Sequence, residues 1–328
     1  MEPLEAEKGK VTQAKSYVLM LLALFLFIFA LDMLTLSMTQ LNSEFAKEIL
    51  QATRNPFVSL FIGLLVTALL QSSSTVTSIV VAIVAAGNLT LDQAVPLVMG
   101  ANIGTTLTST LVSFSYIMRK KEFKKALSAG ILHDFFNISV VIILLPLELY
   151  FKFLSSLAQK VAQIFASDAS FSEPMIYHKV FTRPISEWIN GTIQLPYLSM
   201  ILGVLLVFLA IKLLSSSVFK TFEMGGINDF NKFVFKNPFL AFLYGTIFTG
   251  AVQSSSVTTS LVVPLVAEGK VSVKKSFPFI IGANIGTTIT AAIAAIYKTE
   301  AAIALALVHF FFNLIGALIF LPFPFLRN

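Results

Sequence analysis

Residues 55–110 and 237–292 are one segment written twice, 182 positions apart, with 25 of the 56 aligned positions identical and no gap. The identities are not generic apolar ones. Asn55, Pro56 and Phe57 fall on Asn237, Pro238 and Phe239; Gln71, Ser72, Ser73 and Ser74 fall on Gln253, Ser254, Ser255 and Ser256. The run Gly-Ala-Asn-Ile-Gly-Thr-Thr recurs whole at 100–106 and 282–288. Six residues drop out of the second copy, and the match then resumes with His133 and Asn137 on His309 and Asn313, and Pro146 on Pro322. A duplicated chain builds one topology twice, so whatever each half does must be compatible with a second copy beside it.

Composition says where the copies reside. The chain is 56% hydrophobic and 12% charged, with 32 Phe, whereas a soluble domain carries about 25% charged residues. Apolar runs at 16–38, 91–118 and 126–150 in the first half, and 195–219, 273–297 and 301–325 in the second, are long enough to cross a hydrocarbon layer of about 30 Å as helices. The run 16–38 is too long for the apolar part of a signal peptide and is read as a retained helix. Residues 55–89 and 237–267 differ, because each is over 30 residues long with a Gln-Ser-Ser-Ser tetrad near its centre. One helix of that length overshoots the bilayer. Two short helices meeting at the tetrad make a re-entrant hairpin, with irregular backbone tolerated where it is buried in protein or lines a cavity.

Each half then crosses three times, and an odd number forces the second half in upside down, as an inverted repeat. The expected fold is an all-α polytopic membrane protein of six transmembrane helices and two re-entrant helical hairpins. Its expected divisions are a cytoplasmic tail at 1–15, a first repeat at 16–151, an extracellular connector with an amphipathic helix at 152–194, and a second repeat at 195–328. With both termini in the cytoplasm, 15 of the 23 basic residues fall inside and 7 outside, which is the bias of membrane proteins. The net charge of +6 is therefore assigned to cytoplasmic loops and not to nucleic-acid binding. A plasma (in a bacterium, inner) membrane location follows, with lipid as a surrounding partner. The absence of cysteine excludes disulfides, thiolate metal sites and thiol chemistry.

A buried polar tetrad is costly unless something polar meets it. Helix starts at the hairpin tips offer N–H groups to an anion, and Ser and Thr hydroxyls add donors. Helix ends with Gln, Asn and hydroxyl oxygens suit a hard cation such as Na⁺. The glycines at 100–106 and 282–288 predict crossing helices broken at Asn102 and Asn284. With no Lys or Arg in either motif, a bound anion depends on dipoles, hydroxyls and a co-bound cation. Small hydroxyl residues used only for helix packing are the competing explanation; two symmetric tetrads, each followed at equal spacing by Asn, weigh against it.

The run from Gln71 to Val81 with the motif at 100–106, the second tetrad with the motif at 282–288, and the segment from Phe123 through His133, Asp134 and Asn137 to Glu148 together resemble the type II sodium–phosphate cotransporter family. The resemblance covers over half the chain. It implies symport of inorganic phosphate into the cell on a Na⁺ gradient, with Na⁺ as co-transported ion and the substrate held between the two hairpins during alternating access. Carried onto this chain, it places phosphate on Gln71, Ser72, Ser73, Ser74, Asn102, Thr105, Thr106, Ser254, Ser255 and Asn284. Na⁺ falls to Gln71, Ser74, Thr77, Gln253, Ser254, Ser256, Thr259, Asn284, Thr287 and Thr288. A homodimer is compatible with it. Electrogenic members carry an Asp where this chain has Arg119, so electroneutral coupling is the expectation.

Sulfate or arsenate in place of phosphate, H⁺ in place of Na⁺, and a channel remain open from the residues alone. The cross-class alternative is an intramembrane serine hydrolase using Ser73, His133 and Asp134. Adjacent His and Asp point to different faces of a helix, no Gly-x-Ser-x-Gly elbow is present, and the second copy has Phe310 in place of Asp134. His133 and His309 are expected in helix packing, with Asn137 and Asn313 bonding between helices. Asp92, Glu148 and Glu268 are expected at the membrane boundary, and Lys212 is expected to extend to the headgroups.

Overall fold

The computed structural model describes residues 2–41, 43–167, 182–223, 233–296 and 299–322, and among these it is all helical. The first half is α1 (Glu2–Gln40), α2 (Ser43–Ala52), α3 (Pro56–Leu70), α4 (Ser73–Ala85), α5 (Leu91–Phe114) and α6 (Lys120–Phe151). Two helices follow, α7 (Phe153–Ser167) and α8 (Arg183–Ile193). The second half is α9 (Pro196–Glu223), α10 (Pro238–Val252), α11 (Ser255–Ala267), α12 (Val273–Gly286), α13 (Thr288–Ala295) and α14 (Glu300–Phe320). Six helical stretches are long and apolar enough to span a bilayer: Lys15–Gln40, Leu91–Tyr116, Lys120–Phe151, Pro196–Phe219, Val273–Ala295 and Glu300–Phe320. They coincide with the six runs read from the sequence, and the chain is a multi-pass membrane protein. Residues 168–181 of the expected connector, and residues 323–325 of the last expected run, lie outside the described residues.

Both long tetrad segments are pairs of short helices, and the local chemistry says why each pair turns where it does. Asn55 caps α3 by accepting from the backbone N–H of Phe57 at 2.9 Å, with Pro56 in the first turn where its missing N–H costs nothing. The helix stops because Gln71 takes a left-handed conformation, φ 55°. Ser72 then sits extended and caps α4 by accepting from Thr75 N–H at 3.2 Å. The second copy repeats each step with Asn237 on Leu240 N–H, Gln253 at φ 56° and Ser254 on Val257 N–H. Gln and the first Ser of each tetrad are thus the turn itself.

The glycines of the repeated heptapeptide act differently from the sequence reading. α5 runs unbroken through Asn102, so the expected break there is absent. In the second copy the helix is interrupted at Thr287, between α12 and α13, and not at Asn284. The reason is steric. A Cβ on Gly100 would lie 1.8 Å from the Leu60 carbonyl oxygen, and one on Gly63 would lie 1.9 Å from that of Leu97. Gly282 against Phe242 (2.1 Å) and Gly245 against Phe279 (2.2 Å) repeat the pattern. Missing side chains let α3 lie against α5, and α10 against α12, backbone to backbone.

Two other segments depart from expectation. α1 begins at Glu2, so the segment read as a tail is helical and continuous with the spanning stretch Lys15–Gln40. α7 is docked: Leu154, Ala158 and Ala162, one face at four-residue spacing, are fully buried, and the helix packs on α14. Glu148 holds it there. Instead of facing solvent at the boundary, this carboxylate is buried and accepts from Leu154 N–H at 2.8 Å and Ser155 N–H at 3.1 Å, a charge well placed at a helix start. Asp92 and Glu268 are exposed and pair with Lys152 and Lys270.

Gly100→Ala is expected to destabilise the protein by at least about 1–3 kcal/mol, because backbone atoms cannot move aside as side chains do. Gly191→Ala, where nothing lies within 4 Å of the added carbon, is the control. Thermal unfolding in detergent checks the difference.

Candidate functional site

The two hairpin tips face each other and bond crosswise. Ser74 Oγ donates to the Gln253 carbonyl at 2.8 Å, and Ser256 Oγ donates to the Gln71 carbonyl at 3.3 Å. Ser74 and Ser256 are the same position of the duplicated sequence, as are Gln71 and Gln253, so the contact is a pseudo-twofold one. Each serine satisfies a carbonyl that the partner turn leaves over. Around this centre, Thr287 Oγ1 lies 2.9 Å from Ser74 Oγ, and Thr108 Oγ1 donates to Gln71 Oε1 at 2.8 Å. Ser109 donates to Thr259 Oγ1 at 3.0 Å.

A second crossed layer supports the first. His133 Nε2 lies 3.0 Å from Asn284 Oδ1, and Asn284 Nδ2 donates to Asn137 Oδ1 at 3.1 Å. Its counterpart is His309 Nε2 with Asn313 Nδ2, both 3.3 Å from Asn102 Oδ1. All six residues are buried. The last helix of each half, α6 or α14, therefore bonds to the glycine-motif helix of the other half, and the two copies are interlocked. Asn102 also donates to its own helix at Val98, so both motif asparagines are engaged between helices.

The hydroxyls sort by what they have left to offer. Thr105, Thr106 and Thr288 donate to carbonyls of their own helices, at Ala101, Ile103 and Ile285. Their oxygens can still face a cation, but their hydrogens are spent. Thr259 likewise donates to Ser255 O. Ser72 and Ser254 are caps. Ser73 and Ser255 open α4 and α11, and among the described residues their side chains make no hydrogen bond. With Ser254, which accepts from Val257 N–H and keeps its own hydrogen, they are the tetrad hydroxyls free to donate.

Gln253 Oε1, Thr290 Oγ1, Thr77 Oγ1 and Thr67 Oγ1 are buried without any hydrogen-bond partner. The first two are informative because their counterparts in the first half, Gln71 Oε1 and Thr108 Oγ1, bond each other. Buried oxygens left without donors require an explanation, and a small cation between them is one. No cluster of three acidic or histidine ligands occurs among the described residues. Any cation at the tips would be held by neutral oxygens.

A cavity of about 390 Å³ opens beside the tips. Gln71, Ser72 and Ser254 form one wall, and α9, with Lys212, Ser215 and Ser216, forms the other. Lys212, an exposed side chain, thus lines this cavity. The hydrolase arrangement does not form: His133 bonds to Asn284, and Asp134 accepts from Thr110 Oγ1 at 3.2 Å.

Thr108, Ser109 and Thr290 were missed by the sequence reading, although the 182-residue offset pairs Thr108 with Thr290 two residues beyond the glycine motif. Asp32 was also missed. It is a fully buried carboxylate in α1 that accepts from Thr182, and its signal was a lone acid in an apolar run.

The profile of the Na⁺/Pi-cotransporter family matches residues 26–167 and 205–321. Sodium-dependent phosphate transport protein 2A of Ovis aries is 30% identical over 93% of this chain and 61% of its own length. The 2B proteins of Homo sapiens and Bos taurus are 29% and 31% identical, over 94% and 95% of this chain and 59% of theirs. The chain thus spans about three fifths of the length of these curated relatives. No solved structure matches it.

Removing either member of the His133–Asn284 pair leaves a buried polar group unpaired. Each alanine substitution is expected to cost about 1–3 kcal/mol. A double-mutant cycle by thermal unfolding should return a coupling of roughly 1 kcal/mol.

Proposed function

The chain belongs to the Na⁺/Pi-cotransporter family, and from that premise we propose that it is a secondary active transporter coupling inorganic phosphate uptake to Na⁺ entry. The observation that carries the reading is the pairing of two helix starts, each led by a free serine, with buried oxygens that have no donor. One set of atoms suits an oxyanion and the other suits a cation, within a single crossed cluster.

The membrane arrangement supports it. α3 and α10, at 15 residues, and α4 and α11, at 13, reach about 22 and 20 Å, short of a hydrocarbon layer of about 30 Å. Each pair enters and leaves by one face, with its tetrad near the midplane. Three crossings per half then place the halves in opposite senses, both termini in the cytoplasm. Two copies of one backbone, inverted and meeting at a shared centre, can expose that centre to either side in turn.

Phosphate as HPO₄²⁻ is placed between the tips. Ser73 and Ser255 donate to it, with the N–H groups that begin α4 and α11 and with Gln71 at the turn. Na⁺ is placed on Gln253 Oε1 and Thr290 Oγ1, with Thr77, Ser256 and Thr287 adding oxygens, and neutralising one HPO₄²⁻ takes two such ions. Na⁺ here is a co-substrate, not a resident cofactor. Because the cluster holds no fixed positive charge, anion and cation neutralise each other, and neither is held well alone in a low-dielectric site. That mutual need is the physical basis of coupling.

Proteoliposomes with an inward Na⁺ gradient are expected to accumulate ³²P-phosphate above equilibrium, and those with K⁺ or choline are not. With Arg119 at the loop position, uptake should be insensitive to a clamped potential. Ser73→Ala and Ser255→Ala should each reduce uptake at least about tenfold, the loss of one charge-assisted donor of about 1.5–3 kcal/mol. Unchanged uptake in both would remove the tetrads from the mechanism.

A further inference from the structure

The cavity beside the tips has a wall that the tetrads do not account for. It is one stripe of α9, in which Phe208, Lys212, Ser215 and Phe219 recur at three- and four-residue spacing and face Gln71 and Ser254. Lys212 is the single charged residue lining it. It lies inside the apolar span Pro196–Phe219, where an ammonium is costly to insert. Among the described residues no carboxylate pairs with it. The cation is thus a feature of this cavity.

We propose that Lys212 is a specificity-determining residue of the anion pathway, drawing a divalent oxyanion into the cavity and delivering it to the neutral donors at the tips. The proposal rests on the transport reading above. A fixed charge between apolar walls such as Phe208 and Phe219 focuses its field along the cavity and raises the local anion concentration. It also disfavours cations entering on this side without an anion. Lysine suits delivery better than arginine, because its ammonium is a compact point charge on a flexible stem, without the planar fork that would hold an oxyanion in two places at once. A lysine that merely extended to the headgroups would have no reason to share its helix stripe with Ser215 and Ser216 on the cavity wall.

The absence of cysteine makes Lys212→Cys a single-thiol protein without further engineering. In proteoliposomes, Lys212→Gln is expected to raise the KM for phosphate about tenfold with little change in the maximal rate, while Lys212→Arg keeps most of the affinity. The introduced thiol should react with water-soluble thiosulfonates, and phosphate should slow that reaction. A reagent adding an ammonium should restore low-phosphate uptake, and one adding a sulfonate should not. Wild-type KM in Lys212→Gln, or labelling that phosphate leaves unchanged, overturns the proposal. Phosphate protection requires no transport, so the two readings separate. Protection in a protein without Na⁺-driven uptake keeps Lys212 as an anion site and removes the symporter; Na⁺-driven uptake identical in wild type and Lys212→Gln removes Lys212 alone.

Discussion

A helix that ends in a protein interior leaves carbonyls and N–H groups with little water to take them, and this fold brings two such ends together. Each buried group left unsatisfied costs about 1–3 kcal/mol. The solution is reciprocal: the serine that follows each turn bonds the carbonyl of the other turn, Ser74 to Gln253 and Ser256 to Gln71. Neither hairpin tip is complete without its copy. Duplication is therefore not an incidental history of the sequence but a condition for burying the turns at all.

The same dependence extends outward. The crossed His–Asn bonds tie α6 to α12 and α14 to α5, and beside them Phe136, Phe277 and Phe320 stack edge to face with centroids 5.3–6.3 Å apart. The glycine contacts draw each hairpin against the helix that carries its own asparagine. Each tip is thereby joined by direct contacts to the motif helix beside it and, through that helix, to the last helix of the opposite half. Packed elements with discrete arrangements transmit shifts better than a deformable core does.

Much of this was legible in the sequence because duplication and apolar length are strong signals. The six spanning runs, the two pairs of short helices turning at the tetrads and the connector helix followed from run lengths, and the interhelical roles of His133, His309, Asn137 and Asn313 followed from polar groups in apolar helices. What was not legible was direction. Glycine reads equally as a backbone break or as a missing side chain, and only the neighbour, Leu60 above Gly100, decides which. Glu148 reads as a boundary charge because distance along the chain says nothing about what packs alongside. Thr108 and Thr290 lay beyond the quoted motif, where a threonine in a helix carries no mark of its partner.

The departures from symmetry are where the two copies acquire different tasks. Gln71 and Thr108 bond each other, whereas Gln253 and Thr290 keep the same backbone positions with their oxygens unpaired. Ser109 reaches Thr259, but its counterpart is Ala291, which leaves Thr77 alone. Thr249 bonds Thr258, and Val76 in the other copy strands Thr67. Each asymmetry leaves one buried oxygen without the hydrogen bond its counterpart makes. A left-handed Gln costs about 1 kcal/mol where Gly would cost nothing, and it is retained at both turns. The turn geometry does not explain that choice; the side chain does. At Gln71 the side chain closes a hydrogen bond with Thr108, and at Gln253 it presents a buried oxygen without a donor, so one duplicated residue is satisfied at one tip and not at the other.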